Sequence, residues 1–245
     1  MSNTLLLILA SVFVVSLISF AGIVTLVMRR KQMDKALIFL VSFSAGSCFG
    51  GAFIHLFPEA IEEGGAEVVG FAIIGILVFF VMEKFLFWQH CHKPGCHEHT
   101  FAYMNLVGDG IHNFIDGVVI AASYMASVQL GVASTIAIVF HEIPQEIGDF
   151  AVLVHGGFTT NKAIALNFLT ALTAVLGALV TIVVIPSFGG SLAPILSFAA
   201  GGFIYIAGSD LVPELHKEVD IKRSWGVFIS LILGIMVIWL LRLIE

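Results

Sequence analysis

Charge is what this 245-residue sequence has least of. Asp, Glu, Lys and Arg make up 11% of it, against 59% hydrophobic residues and a mean hydropathy of +1.05. A water-soluble domain of this length carries about a quarter charged residues, so most of its surface faces something other than water. Strict alternation of apolar and polar positions is also missing, which excludes a transmembrane barrel. The three cysteines, Cys48, Cys91 and Cys96, form no disulfide framework. No basic stripe or aromatic platform suits nucleic acid, and no Walker A motif offers direct ATP drive.

Long apolar runs are what is there. They predict an all-α membrane protein with eight transmembrane helices, over roughly 4–28, 36–57, 68–88, 103–125, 128–154, 161–186, 191–213 and 225–244. The loops are short, so residues 1–245 are expected to be a single transmembrane domain, with 89–102 as a separate cytosolic loop. The first run has no basic segment before it, and Arg29, Arg30 and Lys31 follow it, unlike a cleaved signal peptide. Nine of the eleven Lys and Arg residues fall in loops 1, 3, 5 and 7. By the positive-inside rule those loops are cytosolic and both termini lie outside. The acidic stretch EAIEEGGAE (59–67) is expected as an outer turn.

The second and seventh runs match without gaps. SFSAGSCFGGAFIHLFPE (42–59) and SFAAGGFIYIAGSDLVPE (197–214), offset by 155, are identical at eight of eighteen positions. Spans five apart cross in opposite directions, so the match points to an inverted repeat. The expected arrangement is 3+2+3, with spans 1–3 and 6–8 related around central spans 4 and 5.

Those unmatched spans carry the chemistry. Span 4 contains GDGIHNFIDG, which puts Asp109, His112, Asn113 and Asp116 on one helix face. Span 5 contains HEIPQEIGD, with His141, Gln145 and Asp149 in one row and Glu142 and Glu146 in the next. Each ionised carboxylate at the bilayer centre costs ~2.5–3.5 kcal/mol, and no Lys or Arg lies at that depth. Interhelical hydrogen bonding explains a lone membrane His or Asn but not unpaired carboxylates on two facing stripes. Imidazole with carboxylate suits zinc and its neighbours. Pro144 cannot donate to the Phe140 carbonyl, so span 5 is expected to bend there. Gly110, Gly117 and Gly148 allow close approach at the same level.

These residues resemble the ZIP (zinc/iron-regulated transporter-like) family of divalent-metal transporters, along essentially the whole chain. HNFIDG followed by HEIPQEIGD is similar to the pattern H-N-x-x-D-G with H-E-x-P-H-E-x-G-D. The resemblance implies transport of Zn²⁺, and in some members Fe²⁺, Mn²⁺ or Cd²⁺, into the cytosol, by a homodimer in the cell membrane. The metal is substrate rather than prosthetic group. The resemblance puts the primary site on His112, Asp116, His141 and Gln145, and an adjacent one on Asn113, Asp116 and Glu142. Gln145, Gly51 and Thr170 depart from the family's usual His, Asp and carboxylate.

Asp109, Glu146 and Asp149 are secondary or pathway candidates. So are His55 and Asp210, which occupy equivalent repeat positions three residues before a proline. In HCHKPGCHEH (90–99), residues His90, Cys91, His92, Cys96, His97 and His99 are candidates for cytosolic metal binding. Deleting 90–99 is expected to lower transport without abolishing it. No catalytic residue is expected. An intramembrane zinc hydrolase is the alternative, but His141-Glu142 lacks the second histidine of H-E-x-x-H at Gln145.

Overall fold

The computed structural model describes residues 2–27, 30–86, 98–187 and 191–243. All regular structure among them is helical, and it forms eight long segments. We label these α1 (Asn3–Val27), α2 (Ala36–Gly64), α3 (Ala66–Lys84), α4 (Glu98–Ala126), α5 (Val128–His155), α6 (Thr160–Pro186), α7 (Ala193–Leu215) and α8 (Ile221–Arg242). Six of the eight are long and apolar enough to cross a membrane. The other two, α4 and α5, have 29 and 28 residues and carry the acidic and imidazole groups.

Local chemistry sets the ends. The Ser127 hydroxyl accepts from the Leu130 N–H at 3.1 Å and starts α5, and Asp220 does the same for α8 through the Arg223 N–H at 2.9 Å. The acidic stretch at 59–67 is not all turn. Helix α2 runs on through Pro58 to Gly64, and only Gly65, at φ 74°, reverses the chain. Pro58 sits in the first turn of a new α-helical segment, where its missing N–H is not needed.

Just before Pro58 the helix widens into a π segment, Gly51–Leu56; just before Pro213 it does so again, at Ile206–Leu211. The two segments lie 155 residues apart, the offset of the sequence match. Each absorbs the hydrogen bond that the proline cannot make.

Packing repeats between the same pairs of helices, at an offset of 155 from α2 to α7 (Gly46 to Gly201) and of 159 from α3 to α8 (Gly75 to Gly234). An added Cβ on Gly46 of α2 would lie 2.0 Å from the Leu231 carbonyl oxygen of α8, and one on Gly234 of α8 would lie 2.2 Å from that of Phe43 in α2. In the other half, an added Cβ on Gly201 of α7 would lie 2.0 Å from the Ala72 oxygen of α3, and one on Gly75 of α3 would lie 2.2 Å from that of Phe198 in α7. Only glycine permits backbones this close. Helices α4 and α5 run between these pairs, α4 against α6 and α5 against α1.

All eight helices contribute to one apolar core at the end of the bundle nearer the chain termini, with Ile8, Leu56, Ile120, Leu130, Leu196 and Ile238 among its members. The opposite end is hollow. There a cavity of about 770 Å³ is walled by α2, α3, α4, α5 and α7.

Candidate metal site

The histidines sit at mid-helix. His112 is the middle residue of α4, and His141 is within one residue of the middle of α5. Their rings meet edge-on across the helix pair, with Nε2 atoms 3.2 Å apart. Asp116 and Glu142 close the group. His112 Nε2 is 3.3 Å from Glu142 Oε1 and 3.8 Å from Asp116 Oδ2; His141 Nε2 is 3.5 and 3.4 Å from the same two oxygens. A zinc ion with four bonds of about 2.0–2.1 Å sits in a tetrahedron whose edges are about 3.3–3.4 Å. The five measured edges, 3.2–3.8 Å, fit that figure.

Hydrogen bonding leaves the group short of positive charge. Asp116 Oδ2 and both Glu142 oxygens are buried without a hydrogen-bond partner. His141 Nδ1 donates to the Ala137 carbonyl at 3.2 Å, which fixes the tautomer and turns the Nε2 lone pair inward. The Cys48 thiol lies 3.8 Å from the same Nδ1. Edge-on contacts from Phe79 to His112 and from Phe203 to His141 line the site with apolar surface. His112 is the member left partly open, at 12%, and it borders the cavity.

Pro144 leaves its mark in the hydrogen bonding of α5. The Phe140 carbonyl is free of its helical partner, and the Ser44 hydroxyl of α2 donates to it instead. Gly117 does not bring α4 and α5 together: an added Cβ there would lie 1.8 Å from the Ala174 oxygen of α6. Gly148 has nothing within 4 Å and opens onto the cavity.

The other sequence candidates divide. Gln145 lines the cavity, while Glu142 stands among the four converging groups. The Asn113 side chain turns to Asp109, donating to its Oδ1 at 2.8 Å. Asp109, Glu146 and Asp149 gather into a second buried group. Asp210 lies at the cavity wall with Glu83, Tyr205 and Glu214. His55 is fully buried and faces α8, with Nε2 2.9 Å from the Ile238 carbonyl oxygen, so it borders a helix contact rather than the cavity. His90, Cys91, His92, Cys96 and His97 lie outside the described residues. The backbone of His99 is in the first turn of α4.

Sequence reasoning missed Cys48, Ser44, Asn105 and Asn167. Asn105 could have been found, since it extends the span-4 stripe by one turn below Asp109. Asn167 had no such signal, being a lone amide in an apolar run.

Comparison with known proteins decides the family. The family model described as "ZIP Zinc transporter" matches residues 89–242. This chain belongs to the ZIP family. It is 36% identical over 220 residues to Zinc transporter ZIP13 of Pongo abelii, an alignment covering 83% of this chain and 66% of that protein. Human Zinc transporter ZIP13 is 32% identical over 83% of this chain and 70% of its own length. Zinc transporter YKE4 of Saccharomyces cerevisiae is 32% identical over 78% and 64%. The chain thus spans about two thirds of these relatives. They are named as zinc transporters and lend no support to a hydrolase.

Proposed function

We propose that this protein carries divalent transition-metal ions, Zn²⁺ first among them, across a membrane into the cytosol. The observation that carries this reading is the convergence of two imidazole nitrogens and two unpartnered carboxylate oxygens at zinc spacing, halfway along two buried helices. An ion leaving water recovers there the ligands it loses, and the carboxylates recover a countercharge that no Lys or Arg supplies. Fe²⁺, Mn²⁺ and Cd²⁺ suit the same mixed set less closely or equally well.

All eight segments then cross the bilayer, both termini lie outside the cytosol, and the cell membrane is the compartment. The arrangement is 3+2+3, with α1–α3 and α6–α8 as inverted repeats about α4 and α5. Support comes from the paired π segments and from the glycine contacts that join α2 to α8 and, in the same way, α7 to α3. Inverted repeats of this kind suit alternating access by rocking around a fixed site. The cavity lies at the end that the basic loops would occupy, and the apolar core fills the other. This conformation is therefore open to the cytosol and closed to the outside. The homodimer and the metal-receiving role of loop 90–99 are further parts of the proposal.

The test is uptake into proteoliposomes loaded with a metal-sensing dye. His112→Ala and His141→Ala should reduce Zn²⁺ entry to the leak of empty vesicles. Parent-like uptake in both would refute the site.

A further inference from the structure

We propose that Asp109, Glu146 and Asp149 form a second, all-oxygen binding site for a hard divalent cation, one to two turns from the histidine group along α4 and α5. The three carboxylates offer oxygens within 4.8 Å of one another and are all buried, Asp149 most nearly reaching the surface at 8%. Every donor hydrogen-bonded to them is neutral. Asn105 donates to Asp149 at 2.9 Å, Asn113 to Asp109 at 2.8 Å, Asn167 to Glu146, and the Thr170 hydroxyl to Asp109. Amides and hydroxyls orient a carboxylate but do not cancel its charge.

Two other side chains point to a ligand independently of the acids. Asn113 and Asn167 are fully buried, and each is anchored on the group by its Nδ2. Each leaves its Oδ1 without a partner, as do Glu146 Oε1 and Asp149 Oδ2. A buried amide oxygen held beside carboxylates and given no donor is the situation that a cation relieves. No nitrogen lone pair or sulfur is on offer, so the site differs in kind from the histidine group. Carboxylate and carbonyl oxygens select Mg²⁺, Ca²⁺ or Mn²⁺.

An entrance exists. Asp149, Gly148 and Gly108 all line the cavity, and Gly148 faces open space. An ion from the cavity reaches Asp149 without passing the histidines. The site therefore stands or falls apart from the zinc-carrier reading.

Manganese electron paramagnetic resonance on the purified full-length chain provides the test. In a His112→Ala/His141→Ala background, one Mn²⁺ per chain should remain bound, and adding Asp109→Asn/Asp149→Asn should release it. No bound Mn²⁺ in the histidine background, or Mn²⁺ that survives the added substitutions, would overturn the site. Asp149→Asn alone, isosteric and at the cavity wall, is the milder variant. It should weaken Mn²⁺ at least tenfold while the histidine group still binds one Zn²⁺; unchanged Mn²⁺ affinity overturns the proposal.

Discussion

Two buried acidic groups share the same pair of helices, and they are built differently. Around His112 and His141 the carboxylate oxygens that face the imidazoles have no hydrogen-bond partner. Around Asp109, Glu146 and Asp149 most oxygens are held by Asn105, Asn113, Asn167 and Thr170. The first group spends its polar atoms on a space between them. The second spends many on fixing its own geometry. A site through which an ion must pass is better served by the first arrangement, because ligands not committed to the protein bond only to the ion. The second arrangement resembles a seat, oriented in advance by neutral donors.

The largest contrast is expected from ligand loss. His141→Ala removes one of four converging atoms and should weaken Zn²⁺ binding by about 100-fold or more, since even disturbing a ligand's supporting partner costs about 10–100-fold. Asp149→Asn should leave that binding within about tenfold. Isothermal titration with Zn²⁺ reads both, and equal losses would erase the distinction between the groups.

Position 145 sharpens the comparison. Glu142→Gln should depress Zn²⁺ affinity strongly, because it alters one of the four converging groups, whereas Gln145→Ala, which removes a neutral side chain from the cavity wall beside both histidines, should weaken it less. The reverse order would restore the ligand set that family resemblance implies.

Orientation by neutral donors can be weighed directly. Asn105→Ala strips Asp149 Oδ1 of its buried partner and should lower stability by about 1–3 kcal/mol. Added Mn²⁺ should recover part of the resulting loss in Tm, through binding to the folded chain alone. A Tm that ignores Mn²⁺ would argue for a purely structural acid group.

The smallest effect is expected beside Pro144. Ser44→Ala removes the donor to the Phe140 carbonyl that Pro144 leaves free, worth about 1 kcal/mol. Thermal unfolding should register it, and Zn²⁺ affinity should stay within about twofold.

How much of this was legible in the sequence follows from what each feature costs. Helix placement was read to within a few residues at most ends, because apolar length is imposed by any bilayer, but the polar extensions of α2 to Gly64 and of α4 back to Glu98 were not. The two stripes were legible because acids in apolar helices are too costly to be incidental. The separate roles of Glu142 and Gln145 were not, since both neighbour His141 on α5 and spacing alone does not tell which of them converges with the imidazoles. His55 is a related case. Its spacing matched Asp210, but α8 covers that face of α2, and pattern alone does not tell a helix contact from a cavity wall. The π segments left no mark beyond the repeated Leu-x-Pro-Glu, although their positions follow from those prolines once seen.

The central claim is tested most directly by zinc-edge anomalous diffraction from crystals of the metal-loaded protein. The account predicts a peak between the two helices, about 2.0–2.1 Å from His112 Nε2, His141 Nε2 and the nearer oxygens of Asp116 and Glu142. A peak elsewhere in the bundle, with the two imidazole Nε2 atoms still in contact and nothing between them, would contradict it.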